Sequence, residues 1–145
     1  GGVGSSNKLD DYEEGTWTAT LSDASVGGNT TTEDTDAKYT KIGNVVYFQC
    51  AFGGNVSVTG MTATNDLFIQ GLPYTSTGDN NARFGNVDLR GVTYTSGNVP
   101  VGLMADSRTY LYFIETSSGG GFSPLEVQDF SNGDSIYVSG HYFTT

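Results

Sequence analysis

Between Tyr39 and Phe52, two runs of β-branched and aromatic residues flank the pair Gly43-Asn44, a pattern that demands an antiparallel pair of strands. A two-residue loop with glycine first suits a hairpin turn that needs positive φ at that position. The turn then sets the register. Ile42 faces Val45, Lys41 faces Val46, Thr40 faces Tyr47 and Tyr39 faces Phe48. Because strand side chains alternate, Tyr39, Val46, Phe48, Cys50 and Phe52 share one face, and that face is the first candidate core.

The rest of the chain reads in the same way. Leu125 to Phe130 and Ser135 to Phe143 surround Ser131-Asn132-Gly133-Asp134, which predicts a second hairpin with Leu125, Val127, Ile136 and Val138 on one face. Further strands are expected at Gly15 to Leu21, Leu67 to Leu72, Arg83 to Tyr94, Val99 to Met104 and Arg108 to Glu115. No stretch of ten residues carries a helical period, so little or no helix is expected. Polar clusters at Ser25 to Thr35, Gly53 to Asn65, Thr75 to Asn81 and Ser117 to Ser123 read as long loops. The runs Val45 to Phe48, Tyr110 to Ile114 and Ile136 to Phe143 are apolar or aromatic on both sides. Either a second buried surface, such as a subunit interface, lies outside the core, or outward tyrosines simply cover a sheet.

At 145 residues the chain has the size of one domain, and 21 glycines with 17 Tyr and Phe favour an ordered all-β fold. The expected architecture is an antiparallel, jelly-roll-like β-sandwich. Sixteen acidic residues against six Lys and Arg give a net charge of -10, which opposes binding to nucleic acid or to anionic lipid. One cysteine excludes an internal disulfide. No apolar run approaches the roughly 20 residues of a membrane span, so membrane insertion is not expected.

Few residues offer chemistry. One His and one Cys cannot complete a zinc set, and Glu33, Asp34, Asp36 with Asp79, Asn80 and Asn81 lack the spacing of a calcium loop; no metal or other cofactor is expected. No nucleophile elbow surrounds any serine, His141 sits in a strand as a surface or interface residue, and Cys50 reads as a small buried hydrophobe. The pairs Asp10-Asp11 and Glu13-Glu14 satisfy the bare requirement of a glycosidase, two carboxylates, but read as a solvated edge or linker end. Trp17, mid-strand, reads as a core or interface anchor. Sugar binding fits the composition better, because aromatic faces stack on pyranose rings while Asn, Asp, Ser and Thr supply directional hydrogen bonds. The candidate ligand-binding residues are Tyr74, Asp79, Asn80, Asn81, Tyr94 and Phe122.

The block Leu9-Asp10-Asp11-Tyr12-Glu13-Glu14-Gly15-Thr16-Trp17-Thr18, followed by Tyr39-Thr40-Lys41-Ile42-Gly43-Asn44-Val45-Val46, resembles the terminal domains of bacteriophage tail-fibre and tailspike proteins. Leu72-Pro73-Tyr74 and the run from Asp134 to Tyr142 are similar to later parts of the same domains. Ala19 departs from the pattern, which commonly has proline there. The resemblance implies a homotrimeric tip on a virion fibre, joined to an upstream shaft, that attaches to host lipopolysaccharide or capsular polysaccharide without cleaving it. Residues 1–14, opening on Gly1-Gly2-Val3-Gly4-Ser5-Ser6, are then a flexible connector, and residues 15–145 the tip domain. Two other readings stand beside it: a structural trimerisation cap or connector of a phage fibre, or a virion decoration, without receptor binding; and a polysaccharide depolymerase or esterase, although such proteins generally carry depolymerase chemistry on larger domains, which places any activity upstream.

Overall fold

The computed structural model describes residues 11–31, 36–78 and 84–145. Among these residues, eleven strands run in chain order: β1 Tyr12–Thr16, β2 Thr20–Ser22, β3 Thr30–Thr31, β4 Asp36–Ile42, β5 Val45–Phe52, β6 Phe68–Gln70, β7 Asn86–Arg90, β8 Val99–Met104, β9 Tyr110–Thr116, β10 Phe122–Pro124 and β11 Ser135–Phe143. They form two packed antiparallel sheets, a β-sandwich. The first has the order β1-β4-β5-β11-β7. In the second, β8 lines one side of β9, while β10 and β6 share its other side and β2 and β3 follow β6.

The β4–β5 hairpin has the expected register, from Ile42↔Val45 to Tyr39↔Phe48, and Gly43 takes the positive φ (59°) that the turn needs. Val46, Phe48, Cys50 and Phe52 all point into the core. Across the interface, Leu21, Ile69, Leu111 and Phe113 supply the facing layer from the second sheet. Phe84 is wedged between the layers, and glycine is required on both sides of it: a Cβ on Gly102 would lie 2.1 Å from its ring, and one on Gly140 would lie 2.9 Å from its Cβ. The ring of Phe48 meets Phe84 edge-on at 5.4 Å.

Two expectations are corrected. The stretch Gly15 to Leu21 is not one strand, because the chain leaves the first sheet after Thr16 and enters the second at Thr20. Trp17 and Ala19, both buried, make this crossing, with the Trp17 N–H still donating to the Ala37 carbonyl (3.1 Å). The second hairpin is also absent. Val127–Asp129 is a 3₁₀ turn, whose entry is closed by the Glu126 N–H donating to Asp129 Oδ2 at 2.8 Å, and β11 pairs with β5 and β7 instead. The Asn132-Gly133 pair is spent on a neighbouring loop: Asn132 Oδ1 accepts from the Val58 N–H (2.9 Å), and the Gly133 N–H donates to the Val56 carbonyl (2.9 Å). Leu125, Val127, Ile136 and Val138 are nonetheless all buried in one core.

Candidate functional site

On the outer surface of the second sheet, alternation along β9 turns Leu111 and Phe113 inward and Tyr110, Tyr112 and Ile114 outward. Phe68 on β6 lies opposite Tyr112, and its ring meets Tyr110 edge-on at 5.3 Å and Tyr112 at 5.9 Å. Phe122 and Pro124 on β10 continue this aromatic floor, and Phe122 is 67% exposed. The result is a hollow of about 480 Å³ with Ser25, Asp66, Asp106 and Arg108 among its polar walls. Burial, reinforced by the charge of Glu126, pushes the Asp66 carboxyl above its ordinary range. The Arg108 guanidinium donates to the neighbouring Ser107 carbonyl (3.0 Å). An aromatic floor with hydrogen-bonding walls can pack a ring face against a sugar and fix its hydroxyls.

Tyr74 lies at a different place, between the end of the β4–β5 hairpin and β11. Glu13 accepts from Tyr39 Oη at 2.5 Å through one carboxylate oxygen and from Tyr74 Oη through the other. These two phenols hold the Glu13 carboxyl below the usual carboxylate range, and the carboxylate in turn raises the Tyr74 phenol. The rings of Tyr39 and Tyr74 meet edge-on at 5.7 Å. Lys41, ion-paired with Asp11 at 2.7 Å, stands 5.7 Å over the Tyr74 ring. Tyr142 Oη donates to the Tyr74 carbonyl (3.0 Å), which fastens the cluster to β11. The hydroxyls of Tyr39, Tyr74 and Tyr142 all donate within the cluster, so it acts as a clasp; Glu13 is exposed on the edge strand β1, as expected, and is also the acceptor of that clasp.

Tyr94 packs against the core, and its hydroxyl donates to the Leu89 carbonyl (3.1 Å). Asp79, Asn80 and Asn81 lie outside the described residues, as do Glu33 and Asp34. Of the sequence-derived candidates, Phe122 alone among the described residues lines the aromatic hollow, and Tyr74 and Tyr94 are not brought to it. Phe68, Tyr110 and Tyr112 are not among the sequence-derived site candidates. Their signal was the two-sided patterning of Tyr110 to Ile114, which marks an aromatic outer face as readily as an interface.

The single histidine and the single cysteine lie away from the hollow. His141 faces outward on β11, with Tyr47 at 5.8 Å and Phe143 at 6.3 Å between ring centroids. Cys50 is buried, which pushes its thiol up to about 12. Neither a known protein-family model nor a curated protein sequence matches the chain. Among the described residues, no helix is long and apolar enough to cross a membrane.

Proposed function

We propose that this chain is the host-attachment domain of a bacteriophage tail fibre, a non-enzymatic virion component that holds a bacterial surface polysaccharide or lipopolysaccharide. The observation that carries this reading is the aromatic hollow formed by Phe68, Tyr110, Tyr112 and Phe122, open to solvent on the outer face of the second sheet. The resemblance of the first 50 residues to phage fibre tips supplies the biological setting. In that setting three copies join behind an upstream shaft, so that weak single sites act together as one tight attachment. The test is binding of the purified protein to host cells and to isolated envelope glycans, with Phe122→Ala and Tyr110→Ala beside the parent. Each variant is expected to weaken binding about tenfold, the effect of removing a central aromatic contact, while thermal unfolding of Phe122→Ala, which removes a largely exposed ring, stays unchanged. Absence of glycan binding by the parent would overturn the reading, and so would release of oligosaccharides by it.

A second reading is favoured by one observation. The outer face of the first sheet is apolar at one end, as a trimerisation cap or connector without receptor binding would require. An assembled protein that bound no envelope glycan would establish that reading instead.

A further inference from the structure

The pairing registers align one residue from each of four strands in a single row across the first sheet: Tyr12 opposite Ile42, Ile42 opposite Val45, and Val45 opposite Phe143. All four are apolar or aromatic, and alternation against the buried Val46 and Tyr142 turns them away from the core. Tyr12, Ile42 and Phe143 keep between 41% and 50% of their surface exposed. The next outward row carries Tyr47, 51% exposed, opposite His141. Such a contiguous exposed strip is uncommon on a surface that stays solvated.

Charge selects the occupant. Chains with a net charge of -10 repel one another, so copies can meet only where that charge is locally absent. The outward positions of this sheet carry three carboxylates, Glu14, Asp36 and Asp88, against two cations, Lys38 and Arg90. Lys38 is paired with Asp36 at 2.9 Å and Arg90 with Asp88 at 2.7 Å, so the face is close to neutral. The second sheet faces the opposite way, and its aromatic hollow stays open when the first sheet is covered. If both outer faces were used for self-contact, the copies would stack without closing.

We propose that the outer face of the first sheet is where copies of this chain pack together, with the row Tyr12, Ile42, Val45 and Phe143 at the contact. This rests on the homotrimer of the proposed function for the number of copies, and it assigns the surface. The experiment measures solution mass by light scattering across a dilution series. The parent is expected near three times 15.3 kDa. Ile42→Glu and Phe143→Glu are expected to weaken association about tenfold or more, since each places a charge in a desolvated contact. Val26→Glu and Phe122→Glu, exposed elsewhere, are expected to leave it unchanged. As a second readout, Val45→Cys supplies an accessible thiol beside the buried Cys50, and a short bismaleimide is expected to join copies through it. Trimers that survive both charge variants and do not cross-link through position 45 would overturn this surface while leaving the trimer intact. A parent that stays monomeric at every concentration would overturn both.

Discussion

Phe84 reaches from a connecting segment into the space between the sheets, and that space exists because Gly102 and Gly140 have no side chains. Gly102→Ala is therefore expected to cost about 1–3 kcal/mol in urea unfolding, the range for overpacking a filled core. Phe84→Leu in the same chain is expected to recover part of that loss, so that the two changes are not additive. Asp23 governs a second site. It is buried and accepts from Asn29 Nδ2 (2.9 Å), the Asn29 N–H (2.7 Å) and the Thr62 N–H (2.8 Å), tying three segments together. The Asn29 amide first, and then the Thr62 N–H, hold its carboxyl below the usual carboxylate range. A depressed folded pKa gives stability that is fully present above the ordinary value of about 4 and is lost as pH falls through the folded value. The urea midpoint is thus expected to fall between about pH 6 and about pH 2.5, and to fall less in Asp23→Asn. An identical fall in both proteins would show that Asp23 does not contribute. None of this was visible in the sequence, where Asp23 looks like an ordinary loop-border residue and Phe84 falls inside the strand expected over Arg83 to Tyr94, although the observed strand begins only at Asn86.

At the scale of elements, β1 is an edge strand whose only neighbour among the described residues is β4, and edge strands open first. The clasp of Glu13 with Tyr39 and Tyr74 fastens it to the hairpin and, through Tyr142, to the last strand. Tyr74→Phe removes one donor while keeping the ring. It is expected to lower hydrogen-exchange protection of the β1 amides several-fold and to leave β5 and β11 unchanged; uniform change across all strands would disprove a local clasp. The hairpin of β4 and β5 was legible because its register follows from contiguous residues and one glycine. The hairpin expected over 125–143 was not present, because Asn132 and Gly133 hydrogen-bond the 56–58 loop, a partner more than 70 residues away. Local turn chemistry cannot reveal such a competitor. The break at Trp17 was hidden for a similar reason: strands of both sheets are written in the same apolar and Thr-rich vocabulary.

For the whole molecule, the surplus of acid has a direct consequence for assembly. Self-association through a near-neutral face is expected to strengthen from about 10 mM to about 150 mM NaCl, because screening relieves repulsion between the remaining acidic surfaces. Sedimentation velocity at the two salt concentrations measures this. Weakening with salt would mean that ion pairs, not the apolar row, dominate the contact. Glycan binding in the aromatic hollow is expected to respond little to salt, since stacking on Phe68 and Tyr110 does not depend on charge. The two surfaces are therefore separable by one titration.

By itself the sequence determined the all-β class, the register of its best hairpin and most of the inward-facing residues, because alternation and turn chemistry act between near neighbours. It also held the signal of two-sided strands, without saying what their outer faces do. Only the tertiary structure decided that Tyr110 and Tyr112 join Phe68 and Phe122 in a hollow, and that Tyr12, Ile42, Val45 and Phe143 fall into one row. It also decided that Tyr74 is held by Glu13. Each of these depends on which strands lie side by side, and that order is set by contacts between residues far apart in the chain.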